Sequence, residues 1–158
     1  MVTTVRIEIR DALESDRPAI SAVMSDATAV LRKVYRPSPS AARRARSAAD
    51  VRWVVAVECE QIVGALRCVA KPDSLHLGVG VHPDHQRKGV ARALIAFLAE
   101  KARAQEISKL SLYTIKETGN MPIFERLGFS FVREGPAEDC ESATGAQLTD
   151  VYMERVLS

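Results

Sequence analysis

Long apolar runs are missing from this 158-residue chain. The longest, Ala93 to Ala99, is far short of the ~20 residues a membrane-spanning helix requires. Met1 to Arg10 lacks the apolar core of a signal peptide. A cytoplasmic protein without a membrane partner is therefore expected. Cysteine is scarce: Cys59, Cys68 and Cys140 are odd in number and lack metal-ligand spacing, which argues against a disulfide framework and against zinc. Reduced thiols and no metal are the expectation. Aromatic residues make up 5% of the chain and the net charge is +2, so neither a stacking platform nor a basic surface marks a nucleic-acid binder. Low-complexity tracts and internal repeats are also lacking.

What remains is globular material. Apolar residues at 47% and charged residues at 27% exclude disorder and a disulfide miniprotein. The length suits one domain, residues 1–158, that buries roughly two thirds of its unfolded surface; a homodimer is left open. Charge is unevenly spread. Arg32, Lys33, Arg36, Arg43, Arg44, Arg46 and Arg52 are opposed only by Asp50, whereas Glu134, Glu138, Asp139, Glu141 and Asp150 have no Lys or Arg among them. Solvated segments that aid solubility are one reading; docking of one segment on the other is a second.

Val5 to Ile9 alternates as a half-buried strand, and Ser15-Asp16 with Pro18 opens a helix carrying Ile20, Val23 and Met24 on one face. Tyr35 to Ser40 reads as a loop. Ala41 to Ala49 has helix formers but little apolar surface, the pattern of a weakly packed lid. Trp53 to Val57 and Ile62 to Ala70 form a hairpin, followed by a strand at Leu75 to Val81. Val90, Leu94, Phe97 and Leu98 then share a helix face that ends near Arg103 to Gln105. Lys109 to Thr114 is a strand, Pro122 to Leu127 a short helix, and Gly128 to Arg133 and Thr149 to Val156 are strands.

The segment from Leu75 to Arg92 runs from strand through turn to helix. The first backbone N–H groups of a helix lack intrahelical partners and lie at the positive end of its dipole, so they can hold a phosphate. Gly89 has no Cβ, which lets a diphosphate approach the backbone. Arg87, Lys88 and Arg92 oppose the dipole, and their clustering makes sense where an anion neutralises them.

Gln86-Arg87-Lys88-Gly89-Val90-Ala91 resembles the acetyl-CoA signature of the GCN5-related N-acetyltransferase (GNAT) family, Gln/Arg-x-x-Gly-x-Gly/Ala. The resemblance extends through Val81-His82-Pro83, the strand Leu110 to Thr114, and Asn120-Met121-Pro122-Ile123-Phe124-Glu125-Arg126-Leu127-Gly128-Phe129. It implies an α/β (α+β) fold: a mixed, mostly antiparallel sheet with flanking helices, two strands of which splay into a V-shaped acetyl-CoA cleft. It also implies that Val79, Gly80 and Val81 flank pantetheine, that residues 86–91 hold the pyrophosphate with Arg92 nearby, and that Asn120 contacts the cofactor arm. By its own chemistry Asn120 serves equally as an N-cap. Many relatives have a tyrosine, thought to protonate the CoA thiolate, where this chain has Phe124. Phenylalanine can pack against the sulfur end but gives no proton. A thiol of pKa about 8.5 still leaves tolerably as the anion.

The implied reaction is attack of a neutral amine, from a small molecule or peptide, on the acetyl thioester, with backbone N–H groups stabilising the oxyanion. No residue is assigned as base or acid. His76 shares a strand face with Gly78, Gly80 and His82 and is either a base or a satisfied sheet histidine. Glu58 and Glu60 flank the hairpin turn and are expected in solvent. Tyr113 and Tyr152 read as sheet residues, and Cys140 has no paired histidine beside it. The acidic segment borders the implied acceptor cleft, so a cationic acceptor is expected. Phe124 and the lack of an evident base leave a non-catalytic acyl-CoA sensor as the alternative; a nucleic-acid role for Arg43, Arg44 and Arg46 is the weaker rival.

Overall fold

The computed structural model describes residues 6–40 and 50–158. The strands are β1 (Glu8–Asp11), β2 (Tyr35–Pro37), β3 (Arg52–Glu58), β4 (Gln61–Ala70), β5 (Leu75–Val81), β6 (Lys109–Ile115), β7 (Ser130–Pro136), β8 (Cys140–Ser142) and β9 (Thr149–Val156), all but β2 and β8 on segments that read as strands in the sequence. The segments of helical period become α1 (Arg17–Ala27), α2 (Val90–Ala104) and α3 (Met121–Arg126). Seven strands form one sheet in the order β1-β3-β4-β5-β6-β9-β7. Its neighbours are antiparallel except β5 and β6. A parallel pair needs a crossover, which α2 supplies. The expected mixed, largely antiparallel α/β fold is thus the one observed.

Because successive strand residues face opposite ways, β3 offers Val54 and Ala56 to one helix and Val55 to another. Val54, Ala56, Leu66 and Leu77 pack with Val90, Leu94, Ile95 and Leu98 of α2. Val55 and Ala65 pack with Ile20 and Val23 of α1. The two helices therefore cover opposite faces. Pro18 sits in the first turn of α1, and the Asp16 carboxylate just before it accepts from the Leu13 N–H and the Arg10 guanidinium, each at 2.7 Å. That arginine holds the Asp16 carboxyl below its ordinary range.

The β3–β4 turn has two residues, with Glu58 opposite Gln61. Cys59 (φ 50°) and Glu60 (φ 65°) are both left-handed, as a primed hairpin turn requires. One extra residue, Val63, bulges from β4 where the register shifts.

The first strand lies at Glu8–Asp11 rather than at residues 5–9, and Val5 is outside the described residues. The expected lid at residues 41–49, with Arg43, Arg44 and Arg46, also lies outside them. The expected loop at residues 35–40 contains β2, which pairs with β8 so that Arg36 faces Glu141. The Ser38 N–H donates to the Asp139 carbonyl at 2.8 Å. The basic and acidic segments thus join through this ladder instead of both standing free in solvent. Gly128 has φ +96° and closes α3, so β7 starts at Ser130. Among the described residues no helix is long and apolar enough to cross a membrane.

Candidate active site

Strand β5 delivers the chain to a tightly tethered turn. Leu75 and Leu77 are buried toward α2. On the other face a Cβ on Gly80 would lie 2.7 Å from Met24 Sδ and 3.1 Å from Ala27 Cβ, so glycine is what lets α1 close there. Past the strand, the His82 N–H donates to the carbonyl of the bulged Val63 at 2.8 Å. Gln86 Nε2 donates to the Val81 carbonyl at 3.2 Å. His85 Nδ1 lies 3.1 Å from Glu58 Oε2, and the Glu58 side chain is only 11% exposed. The expectation that Glu58 is solvated is therefore overturned, because the hairpin brings it beneath the turn. Exposed Glu60 remains at the tip.

Residues Arg87 and Gly89 both have positive φ, 64° and 84°. Alternation of left-handed with ordinary backbone turns successive N–H groups to one side, making an anion-binding concavity. A left-handed arginine is strained, and such strain concentrates at functional sites. A Cβ on Gly89 would meet nothing within 4 Å, so space is open beside the turn. The 15-residue α2 starts at Val90 with no side chain capping it. Arg87 and Lys88 are exposed, Ala91 is half-buried, and Val90 is buried in the core as an anchor. Arg92 bonds the Arg126 carbonyl at the end of α3 through Nη2 at 3.1 Å, tying the two helices together.

The β5–β6 ladder consists of Leu75↔Leu110 and His76↔Ser111. β5 stays paired with β4 as far as Val81, and β6 with β9 as far as Ile115. Beyond His76 the parallel strands are thus held by their outer neighbours and not by each other. Val79, Gly80 and Val81 lie along the parted stretch. Asn120 occupies the N-cap position of α3, where its carbonyl accepts from the Ile123 N–H at 3.0 Å while its side chain makes no capping bond. Phe124 packs on the core, edge-on to Phe129 with ring centroids 6.4 Å apart.

The face of β5, β6, β9 and β7 opposite α2 is polar and aromatic. His76 Nδ1 lies 3.0 Å from Ser111 Oγ, which lies 3.1 Å from Ser74 Oγ. The rings of His76, Tyr113 and Tyr152 succeed one another at 5.2 and 5.1 Å. Arg133 stacks 4.1 Å over Tyr152, whose hydroxyl donates to Glu154 at 3.0 Å. Burial, then Lys71 and Arg67, pushes the His76 imidazole down to about 4. Of the two readings of His76, the satisfied neutral sheet histidine fits. Farther along, burial and then Asp139 and Glu138 raise the Asp150 carboxyl. Burial also raises the Tyr35 phenol and the Cys140 thiol, so Cys140 is not an activated nucleophile.

Two further residues share this sheet face without any role read from the sequence. Gly78 is exposed, and a Cβ there would meet nothing within 4 Å. Arg67 lies directly across from it on β4. Neither carries a local motif; only the register unites them.

A mixed sheet whose two parallel strands pair at one end only, followed by a strained turn at a helix start, is the frame in which an acyltransferase site is sought. The chain belongs to the Acetyltransferase (GNAT) family, whose model matches residues 18–129. Membership places it among enzymes of acyl transfer. No curated protein matches the sequence, but many solved structures share the form. The protein smu.2055 from Streptococcus mutans UA159 is 18% identical, with a TM-score of 0.77 over 96% of this chain and 99% of that one. The ribosomal-protein-S18-alanine N-acetyltransferase of Escherichia coli is also 18% identical, with a TM-score of 0.72 over 97% and 95%. The yncA protein of Salmonella typhimurium, solved with its cofactor acetyl-CoA, is 21% identical, with a TM-score of 0.68 over 96% and 94%. At these identities the likeness is one of fold.

Proposed function

We propose that the protein transfers an acetyl group from acetyl-CoA to a primary amine. The observation that carries this reading is the nest at Arg87 to Gly89 before an uncapped α2, beside the opening between β5 and β6. A diphosphate fits there: backbone N–H groups of residues 87–91 would hold it, and Arg87 and Lys88 would neutralise it. The exposed backbone edge of Val79 to Val81 would bond the pantetheine arm as a strand bonds its neighbour, with Asn120 and Phe124 on the other side. Acetyl-CoA use is also supported by the yncA structure with that cofactor.

In the reaction the amine nitrogen bonds to the thioester carbonyl carbon, the carbon–sulfur bond breaks, CoA leaves as thiolate, and the nitrogen loses one proton. His76, half-buried and neutral, hydrogen-bonds and does not need to act as base. A neutral amine, presented by the sheet face, supplies its own nucleophile. Phe124 gives no proton, so the thiolate takes one from water or from the ammonium product.

The test is CoA release in single turnover with a library of amines. Amine-dependent release with formation of the N-acetyl product is expected. Binding of acetyl-CoA with no release for any amine would instead favour the sensor reading, for which Phe124, a residue with no proton to give, is the motive.

A further inference from the structure

On the sheet face opposite α2, the register sets Arg67 of β4, Gly78 of β5 and Tyr113 of β6 side by side. Arg67 and Gly78 are directly opposed. Tyr113 lies two residues past the last β6 residue paired to β5, so Gly78 and Tyr113 flank the start of the opening. Gly80, one step along β5 on the same face, is roofed by Met24 and Ala27, while nothing lies within 4 Å of a Cβ on Gly78. The space over Gly78 is thus an open bay, with α1 on one side and the Tyr113 ring, 53% exposed, on the other.

Arg67 is half-buried at the edge of this bay. Among the described residues its guanidinium has no hydrogen bond and no ion pair. Other half-buried cations have partners: Arg10 has Asp16, Lys101 has Asp11, Lys109 has Asp73 and Glu154, and Arg155 bonds the Leu127 carbonyl. A partly desolvated guanidinium without a partner is costly unless an anion arrives, and its planar fork suits a carboxylate. A side chain on Gly78 would stand between Arg67 and the opening; glycine leaves the way clear.

We propose that Arg67 receives a carboxylate of the acceptor, so that the substrate is an amine that also carries a carboxylate, as amino acids do. The molecule lies over Gly78 with its nitrogen at the opening between β5 and β6 and its side chain against Tyr113. This deepens, and rests on, the amine acetylation proposed above. Neighbouring strands are ~4.8 Å apart, so the carboxylate and the nitrogen are separated by only a few bonds. Arg67 and Lys71, which disfavour the charged form of His76, would equally favour the neutral, nucleophilic amine.

The test compares L-amino acids with their carboxamides as acceptors, at saturating acetyl-CoA. The wild type should prefer the carboxylates by roughly 10- to 100-fold in kcat/KM, the range of a charge-assisted arginine bond. Arg67→Gln should abolish that ratio without lowering Tm or weakening acetyl-CoA binding, and Arg67→Lys should restore part of it. Gly78→Val, which fills open space in an extended strand, should retain acetyl-CoA affinity and lose transfer. A ratio near one in the wild type, the same ratio in Arg67→Gln, or acetylation confined to amines without a carboxylate would overturn the assignment. So would acetyl-CoA binding with none of the amino acids acetylated. Failure of acetyl-CoA to bind at all would instead remove the reading beneath it.

Discussion

At the scale of single residues, Phe124 stands where the resemblance to the family leads one to expect a tyrosine. Its ring packs edge-on to Phe129, and Phe124→Tyr adds one hydroxyl to that ring. If the missing donor limits the chemical step, kcat should rise by up to ~10², the lower end for a positioned acid. The gain should appear in single turnover more than in acetyl-CoA affinity; an unchanged chemical step would show that proton donation to sulfur is not limiting. His76 makes a different prediction. Its imidazole takes a proton at about 4 in the folded chain against an ordinary 6.5. The unfolded chain therefore binds the proton first as pH falls from 6.5 toward 4, and stability declines across that window. His76→Gln should flatten this limb by about 1 to 2 kcal/mol, a figure reduced for the partial exposure of the ring. Chemical unfolding at pH 7 and pH 4.5 reads the difference. The strained turn before α2 was legible at residues 86–91, because a glycine among cations before an apolar helix face is a local pattern. The pairing of Arg67 with Gly78 was not, because it arises from the register of two strands.

Among elements, β5, α2 and β9 were legible with their boundaries, since each is a long run of one period with a clear stop. β2 and β8 were not. Three residues carry no period, Pro37 reads as a breaker, and such a short ladder forms only because tertiary structure brings the two segments together. Their charges remain a handle. Glu141 lies opposite Arg36, so Glu141→Arg puts like charges directly across the ladder. A loss of about 0.2 to 1 kcal/mol is expected, read as a lowered Tm; an unchanged Tm would mean the ladder contributes nothing to stability. The β3–β4 hairpin offers the opposite change. Cys59 and Glu60 both hold positive φ, which Asn-Gly adopts with less strain. Replacing the pair, Cys59→Asn with Glu60→Gly, should stabilise the fold by roughly 0.5 to 1 kcal/mol. Denaturant unfolding at unchanged m-value checks it.

For the whole molecule, α1 and α2 clamp opposite faces of the sheet while β5 and β6 are left to part between them. On the proposed reading the two faces of the opening divide the work: the turn from Arg87 to Gly89 and α2 would take the cofactor, and the bay of Arg67, Gly78 and Tyr113 would take the acceptor. A ligand that binds only the folded chain adds RT ln(1+[L]/Kd) to its stability, about 2.7 kcal/mol at a hundredfold excess over Kd. For a chain of this length that corresponds to a Tm shift of roughly 5 to 10 °C. The most direct measurement is a melting curve with saturating acetyl-CoA for the wild type and for Gly89→Glu. That substitution puts a carboxylate and strained backbone into the nest. The expected result is a rise of that size in the wild type and none in Gly89→Glu; an unmoved wild-type Tm, or an equal rise in both proteins, would contradict an acyl-CoA site at this turn.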